Sequence, residues 1–221
     1  MSAESVTPAY RAVISISSPI VLPWGRLEVT GLELLPPEGA VLLVANHDSY
    51  WDPVAIGVAA RHRRQIRALA KASMWGIPGI GRVLDGMGAI PIVRGAGDAG
   101  AIVRATEELR AGACIGVFPE GTRSLGRELR ARGGIGRLAA AVPEARVVLC
   151  AVAGTTDIPR FPARPRLRVE FFAPAGGGLG DGEPAREFAA RLMGEIRSRA
   201  PVAAAGRRSP RAQAGGPGDA A

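Results

Sequence analysis

Residues 41–53 read VLLVANHDSYWDP, an apolar run that passes directly into polar residues. A short run of aliphatic residues bounded by polar ones is typical of a strand that a sheet buries on both faces. Asn46 and His47 follow this run, and Asp52 follows His47 by five positions. Because α/β folds place their functional groups where strands end, the stretch predicts a central strand with a candidate site beside it.

Six further apolar runs flank this one, separated by segments that contain glycine, proline or helical patterns. Together the predicted strands cover residues 26–30, 40–45, 66–70, 89–93, 113–118, 146–153 and 166–172. One predicted helix is capped by Asp98, runs to about Ala111 and turns an apolar face toward the core, made of Ile102, Val103, Thr106 and Leu109. Another begins near Pro184 and buries Phe188, Leu192 and Ile196. Strands that alternate with helices predict an α/β domain.

The composition fits one globular domain, because 47% of the 221 residues are hydrophobic and 22% are charged. Disorder throughout the chain is therefore excluded. Both cysteines, Cys114 and Cys150, lie inside apolar runs, so we expect buried thiols, no disulfide framework and a reducing cytosol. No uninterrupted apolar run reaches the roughly 18 residues of a membrane-spanning helix.

The net charge is +8, from 28 basic and 20 acidic residues. Half of the basic residues lie in three basic clusters, which are Arg61, Arg63, Arg64, Arg67 and Lys71; Arg123, Arg127, Arg130, Arg132 and Arg137; and Arg160, Arg164, Arg166 and Arg168. Such charge attracts anionic lipid and nucleic acid alike. Aromatic residues make up only 5% of the chain, which leaves little to stack bases on and disfavours a nucleic-acid partner.

The two ends of the chain differ from its middle. Residues 12–24 are apolar but broken by Pro19 and Pro23, and they have no basic leader or cleavage site of a secretory signal. This N-terminal segment either lies in a membrane interface, with Arg11 and Arg26 at the headgroups, or packs on the domain as a helix. We place the segment at residues 1–25, the domain at 26–199 and a disordered tail at 200–221.

The spacing of His47 and Asp52 allows two interpretations. If the Asp52 carboxylate folds back and accepts the Nδ1 proton of His47, Nε2 becomes free to take a proton from a substrate hydroxyl. Alternatively, Asp52 stands before Pro53 and only caps a helix, while His47 is an ordinary strand-end histidine. The spacing alone leaves both interpretations open.

Three other segments bring polar groups to strand ends. In CIGVFPEGTRS, residues 114–124, exposed backbone N–H groups near Gly121, the Thr122 hydroxyl and the Arg123 guanidinium could hold a phosphate. The alternative is a solvated loop in which Glu120 pairs with Arg123. Arg94 ends the run GMGAIPIVR and Lys71 follows the run IRALA, and each is either an anion contact or a solvated surface residue.

In this order, these segments resemble the glycerolipid acyltransferases typified by 1-acylglycerol-3-phosphate acyltransferase. NHDSYWD is similar to the family's N-H-x4-D block, GAIPIVR to its second block, and FPEGTRS to its third. AVAGTTD, residues 151–157, resembles part of the fourth block, although Leu149 stands where the family usually has proline, and AKASMWGIPGIG, residues 70–81, resembles the segment between the first two blocks. The resemblance spans residues 27–172 and implies a single α/β domain with a mixed sheet flanked by helices.

The resemblance also implies a reaction. An acyl group would pass from an acyl thioester, on coenzyme A or acyl carrier protein, to the sn-2 hydroxyl of a lysophosphatidate, with no further cofactor and no metal. His47 would be the general base and Asp52 its orienting partner. Arg94, Arg123 and Lys71 would hold the acceptor phosphate, and Glu120, Gly121 and Thr122 would shape the pocket.

Since both substrates carry long chains, the resemblance further implies a peripheral protein on the cytoplasmic face of the cell membrane, with an anionic lipid surface and acyl carrier protein as partners. Two rival hypotheses are an acyltransferase of the same family with another lysophospholipid or a polyol as acceptor, and a non-catalytic protein that docks on anionic membrane. Pairing of His47 with Asp52 discriminates against the second rival, because docking does not require it.

Overall fold

The computed structural model describes residues 6–93, 99–160, 162 and 164–202, and it contains a seven-stranded sheet. Every predicted strand is present. The strands are β1 (Glu28–Thr30), β2 (Val41–Ala45), β3 (Arg67–Lys71), β4 (Ile90–Ile92), β5 (Cys114–Val117), β6 (Arg146–Ala153) and β7 (Arg168–Phe172). The largest shortening of a predicted strand is at the start of β1 and of β7, and Arg26 has a left-handed φ of 47° that no strand accommodates.

Helices cover both faces of this sheet. They are α1 (Pro8–Pro19), α2 (Asp52–Ala59), α3 (Ile80–Gly86), α4 (Ala99–Arg110), α5 (Gly134–Ala141) and α6 (Ala185–Arg199). A π-helical turn, Ile20–Trp24, extends α1, and short 3₁₀ turns occupy Leu32–Leu34, Ala72–Gly76 and Thr155–Asp157. The chain therefore forms the single α/β domain with a mixed sheet that the resemblance implied.

The strand order is β1-β7-β6-β2-β5-β3-β4. β6, β2, β5, β3 and β4 pair in parallel, whereas β7 runs antiparallel to β6 and β1 is parallel to β7. The carboxyl ends of β2, β5, β3 and β4 consequently meet along one edge of the sheet. All the sequence blocks that follow these strands therefore face the same side of the molecule.

β2 is the centre of the core because each of its residues is buried. Its side chains alternate, so that Leu42 and Val44 pack under α4, α5 and α6, and the others pack under α1 and α2. The sheet therefore lies between two layers of helices. β2 is its central strand, and it ends at the edge where the carboxyl ends of β5, β3 and β4 also lie.

Both predicted helices are present, but the buried face was predicted correctly for only one of them. In α6, Phe188, Leu192 and Ile196 are fully buried, as predicted. In α4, the buried residues are Ala101, Ala105, Thr106 and Leu109, whereas Val103 is 56% exposed, so its assignment to the buried face was wrong. A sequence pattern predicts the buried face of a helix from its large apolar residues. In α4, three of the four buried residues are alanine or threonine, so the pattern does not show which face is buried. Asp98, the predicted cap, lies outside the described residues.

The N-terminal segment packs on the domain as a helix, the second of the two alternatives, while keeping apolar side chains in solvent. Tyr10, Ile14 and Val21 are buried against the sheet layer, and Ile16 and Ile20 are exposed. At the other end, Ala200 is buried in the core, and residues 203–221 of the predicted tail lie outside the described residues. Within the described ranges, no helix is both long enough and apolar enough to cross a bilayer.

Most arginines of the first basic cluster serve the fold. Arg64 is buried and donates to the carbonyls of Pro36, Gly39 and Gly112, and Arg63 donates to that of Leu35. Arg67 pairs with Glu108. Arg63 and Arg64 satisfy backbone carbonyls in the loops next to the strands, and Arg67 is neutralised by a carboxylate. These three arginines are therefore not part of the free polyanion-binding surface that the net charge suggested. Both cysteines are buried, as predicted, and they do not form a disulfide with each other.

Candidate active site

His47 stands two residues after β2, and its imidazole meets Asp52 at the start of α2. The distance from His47 Nδ1 to Asp52 Oδ2 is 3.0 Å, and the side chains are 12% and 0% exposed, respectively. The turn at residues 48–51 brings the carboxylate back to the ring. The pairing of His47 with Asp52, one of the two arrangements that the spacing allowed, is therefore present.

The Asp52 carboxylate is held by more than the imidazole. Its Oδ2 also accepts the backbone N–H groups of Asp48 at 2.6 Å and Ser49 at 2.7 Å, and its Oδ1 accepts the Thr155 hydroxyl. Asp52 does not cap α2. The N-cap residue of this helix is Trp51, and no side chain makes a capping hydrogen bond there. The interpretation of Asp52 as only a helix cap was wrong. A carboxylate with these donors favours His47 with its proton on Nδ1.

Phe118 fixes the other side of the imidazole. The two rings stack with centroids 4.4 Å apart and an interplanar angle of 26°. No group in the described part of the chain hydrogen-bonds Nε2 of His47. With Nδ1 occupied by Asp52, Nε2 is the nitrogen available to a substrate.

The loop after β5 closes onto the His47 backbone. Glu120 is 3% exposed, and its Oε2 accepts the His47 N–H at 2.7 Å. Ser124 N–H donates to the His47 carbonyl at 2.8 Å, and Gly121 makes the turn between them with a φ of 69°. The alternative of a solvated loop with a Glu120–Arg123 pair was therefore wrong, because burial of Glu120 in the site excludes it.

Three residues at this site had not been singled out from the sequence. Thr155 binds Asp52, Asp48 follows His47, and Arg197 reaches the site from α6. Arg197 donates to both oxygens of Asp48 at 2.9 Å and also binds Glu120. Thr155 lies in AVAGTTD, whose resemblance to the family could have indicated it, whereas nothing near Arg197 in the sequence marks it.

Burial and charge oppose each other at Glu120. Desolvation raises the pKa of the Glu120 carboxyl, and the hydrogen bond and charge of Arg197 pull that pKa back down. The two carboxylates in turn raise the pKa of the Arg197 guanidinium, outweighing the effect of its burial. Asp48, Glu120 and Arg197 thus compensate one another, and removal of any one of them leaves a buried charge without its partner.

The remaining predicted site residues lie around this centre. Arg123 covers the ring of Tyr50, 3.6 Å from the ring centroid, and Thr122 beside it is exposed. Lys71 is exposed at the carboxyl end of β3, two strands away from β2. Arg94, three positions after Pro91 in β4, lies outside the described residues. The structure brings His47, Asp52 and Glu120 into direct contact and places Gly121 in the turn next to Glu120. Within the described part of the chain, Lys71 makes no hydrogen bond or ion pair with any of them, and it lies exposed at the end of β3.

A groove of about 1320 Å³ opens beside the site, between the edge of the sheet and helices α4, α5 and α6. Its floor is apolar and is formed by Leu69, Ile92, Ile102, Val117, Ile135 and Met193. Four exposed arginines, which are Arg130, Arg132, Arg137 and Arg186, line its rim. Phe118, Gly121 and Arg197 line the groove, and Phe118 stacks on His47, so one end of the groove lies next to the residues that hold His47.

The arrangement can perform proton abstraction at an oxygen. It offers a histidine base, a buried carboxylate that stabilises the imidazolium, and a neighbouring groove with an apolar floor and a cationic rim. Within the described residues, no three His, Cys, Asp or Glu side chains gather in a set that could hold a metal ion. Both cysteines are buried within strands of the sheet, Cys114 in β5 and Cys150 in β6.

Comparisons with known proteins agree with this chemistry. The chain is 37% identical over 122 residues to a 1-acyl-sn-glycerol-3-phosphate acyltransferase of Borreliella burgdorferi, covering 54% of this chain and 47% of that protein. It is 36% identical over 118 residues to a lyso-ornithine lipid O-acyltransferase of Pseudomonas aeruginosa, covering 53% of this chain and 43% of that protein. In both cases the match spans less than half of the relative's length.

The fold also has a solved counterpart. The crystal structure of the 1-acyl-sn-glycerophosphate acyltransferase of Thermotoga maritima superimposes with a TM-score of 0.65 over 86% of this chain and 79% of that one, at 19% identity. The family model described as Acyltransferase matches residues 26–161, which include the His47 and Asp52 pair and the loop that carries Glu120. With this match over more than half of its length, the chain belongs to the acyltransferase family.

Proposed function

We propose that this protein moves a fatty acyl group from an acyl thioester to the sn-2 hydroxyl of 1-acylglycerol-3-phosphate, which yields phosphatidate for phospholipid synthesis. The observation that carries the proposal is the buried Asp52 carboxylate, 3.0 Å from Nδ1 of His47, which leaves Nε2 directed to a substrate. A relative with this acceptor in its name supports the choice of lysophosphatidate.

The reaction is a direct transfer. Nε2 of His47 takes the proton of the acceptor hydroxyl while its oxygen attacks the thioester carbonyl carbon. The carbon–sulfur bond then breaks, and the departing thiolate receives the proton from the imidazolium, so the products are an ester and a free thiol. Asp52 keeps the ring oriented and stabilises its charged form throughout. No acyl-enzyme is required, which agrees with the burial of both cysteines.

The acceptor phosphate is assigned to arginines at the carboxyl edge of the sheet. Arg123 lies on Tyr50 beside the loop of Glu120, Gly121 and Thr122, and Arg94 and Lys71 follow the neighbouring strands. A guanidinium group binds phosphate through paired hydrogen bonds, whereas Lys71, exposed at the end of β3, would act as a point charge. Gly121 permits the close turn that brings this loop to the His47 backbone.

The groove suits the long chains of the substrates. Its volume of about 1320 Å³ exceeds that of most small-molecule pockets, and its floor is made of aliphatic side chains. The exposed arginines of its rim complement the phosphates of coenzyme A or the acidic surface expected of an acyl carrier protein. We assign both carriers to this rim as donors, with no further cofactor.

A second acceptor has a specific observation in its favour. A lyso-ornithine lipid O-acyltransferase is about as similar to this chain as the relative named for lysophosphatidate, so another lysolipid is the alternative acceptor. Such an acceptor lacks the phosphomonoester, and Arg123 would then contribute little to its binding.

We also propose that the protein works as a peripheral protein on the cytoplasmic face of the cell membrane. Both substrates are amphipathic, and α1 with its π-helical extension leaves Ile16 and Ile20 in solvent. α3, which packs on α1, adds exposed Ile80 and Val83, and Ile77 shortly before it is exposed as well. Exposed aliphatic side chains together with basic ones are the usual features of an interfacial protein.

The test is an acyl-transfer assay of the purified protein with lysophosphatidate, lyso-ornithine lipid and monoacylglycerol as acceptors, each with acyl-coenzyme A and with acyl carrier protein. We expect the fastest transfer to lysophosphatidate. Arg123→Ala should lower kcat/KM for lysophosphatidate about 10-fold to 100-fold, the loss of one charge-assisted contact, and should spare monoacylglycerol. Arg127→Ala, an exposed arginine of the same loop, is the control. No transfer to any acceptor by folded protein would refute the proposal.

A further inference from the structure

Arg197 bridges two segments that meet at the active site. The residue is in the last turn of α6, and its guanidinium group binds both carboxylate oxygens of Asp48 at 2.9 Å as well as Glu120. Asp48 belongs to the turn after β2, and Glu120 to the loop after β5. A single side chain thus joins the two loops that carry the catalytic geometry.

These contacts hold His47 from both sides of its backbone. Glu120 accepts the His47 N–H at 2.7 Å. The Ser124 N–H donates to the His47 carbonyl at 2.8 Å, and the Ser124 hydroxyl binds Asp48. The N–H and the C=O of His47 therefore each depend on a carboxylate that Arg197 binds.

The charges explain why Arg197 is needed. The side chains of Asp48 and Glu120 are 6% and 1% exposed, so neither carboxylate is well solvated by water. Two buried carboxylates repel each other unless a cation separates them, and breaking such a pair leaves an uncompensated charge. Without Arg197, we expect either that the two loops move apart or that one of the two carboxylates, Asp48 or Glu120, takes up a proton.

We propose that Arg197 is a positioning residue for the acyl transfer, acting on His47 through Glu120 and Asp48. This inference rests on the function proposed above. Arg197 lies beyond residues 26–161, the part of the chain that the family model matches. α6 thus completes the catalytic site with a contact to Asp48 from 149 residues further along the chain.

The kinetic test compares Arg197→Gln, Arg197→Lys and a matched control. The control is Arg191→Gln on the same helix, which removes the bidentate pair of Arg191 with Glu183 and none of the hydrogen bonds described above for His47, Asp48 or Glu120. Arg197→Gln should lower kcat about 100-fold, the usual cost of a misplaced catalytic group, with KM within about threefold. Arg197→Lys should recover part of that loss, because an ammonium group supplies the charge without the bidentate geometry. Arg191→Gln should keep the wild-type kcat.

A double-mutant cycle with Asp48→Asn tests whether Arg197 acts on His47 through Asp48. If Arg197 acts through Asp48, Arg197→Gln should cost less in the Asp48→Asn background than in the wild type. Additive losses would overturn that route. A raised KM with an unchanged kcat would also overturn the proposal, because it would make Arg197, which lines the groove, a substrate contact.

A readout without substrate separates this inference from the proposed function. Amide hydrogen exchange of His47 and Ser124, followed by NMR, should be at least about 10-fold faster in Arg197→Gln and unchanged in Arg191→Gln. If the wild type transfers no acyl group, the proposed function fails, while the exchange data still decide whether Arg197 holds His47. Unchanged protection of both amides in a folded Arg197→Gln variant would overturn the positioning role.

Discussion

At the scale of single residues, Asp52 determines which nitrogen of His47 can act as a base. Its carboxylate accepts bonds from the imidazole, two backbone N–H groups and the Thr155 hydroxyl, all within a buried environment. An acceptor so placed favours the tautomer with hydrogen on Nδ1 and also favours the imidazolium that forms during transfer. Replacement of the carboxylate therefore affects both the orientation and the charge of the base.

Removal of the base should nearly abolish turnover without loss of the fold. His47→Ala should lower kcat about 100-fold to 10,000-fold, the range that a positioned general base supplies. Asp52→Asn should lose a large part of that, because an amide nitrogen facing the Asp48 and Ser49 N–H groups cannot accept their bonds. His62→Ala changes the other histidine of the chain, which is exposed, and should be neutral. Near wild-type kcat in a folded His47→Ala variant would exclude the mechanism.

The cysteines should be unreactive in the folded protein. Both are buried, and burial with the nearby negative charge of Asp52 raises the pKa of the Cys150 thiol well above its usual range. Because the thiolate is the reactive form, N-ethylmaleimide should leave the native activity intact and should label both cysteines only after unfolding. Labelling is followed by mass spectrometry. Rapid loss of activity in step with labelling of native Cys114 or Cys150 would show a catalytic or accessible thiol.

At the scale of elements, the strands were predictable and the contacts between distant elements were not. Apolar runs identified all seven strands, and the resemblance of NHDSYWD to the family's block, rather than the spacing alone, indicated that His47 and Asp52 pair. Periodicity and capping are local, so they report what lies a few residues apart. The Arg197 contact with Asp48 joins positions 149 residues apart, and no local pattern encodes it. The exposed Val103 of α4 shows the same limit, since a helix made of small residues does not reveal which side faces the sheet.

The packing of α5 against α6 depends on a glycine. A Cβ at Gly136 would lie 2.5 Å from the Cα of Ala185, the first residue of α6, so the two backbones touch there. Gly136→Ala should force these helices apart and lower the free energy of unfolding by about 1 to 3 kcal/mol. Gly194→Ala, on α6 with no atom within 4 Å of its Cβ, should raise it by up to about 1 kcal/mol. Urea unfolding of both variants measures the difference, and equal effects would contradict the close contact.

At the scale of the whole molecule, the three basic clusters have different surroundings. The first is largely used by the fold, through Arg63, Arg64 and Arg67. The second supplies Arg130, Arg132 and Arg137 to the rim of the groove. In the third, Arg160 pairs with Asp157, while Arg166 and Arg168 are exposed. Net charge in the sequence could not separate these surroundings, because a guanidinium group that binds carbonyls counts the same as one in solvent.

Membrane attachment should combine an apolar part and an electrostatic part. Ile16 is 76% and Ile20 is 38% exposed, and transfer of such side chains out of water contributes about 1.5 to 3 kcal/mol each when complete. Basic residues near an anionic surface add about 1 kcal/mol each, an attraction that salt screens within about 10 Å at 0.1 M ionic strength. Val21 is fully buried, whereas Ile16 and Ile20 are exposed large aliphatic side chains of this segment that can be altered without disturbing the core.

Co-sedimentation with vesicles across a salt series separates the two parts. The wild type should bind vesicles that contain phosphatidylglycerol at low salt, bind neutral phosphatidylcholine vesicles more weakly, and lose most of the difference at high salt, because screening removes only the electrostatic attraction. Ile16→Asp with Ile20→Asp should reduce binding to both vesicle types. Val103→Asp, at a valine 56% exposed on the opposite helical layer, is the matched control and should bind as the wild type does. If the double variant still bound like the wild type, α1 would not be the contact. If the wild type bound neither vesicle type at low salt, the proposed peripheral attachment would be refuted.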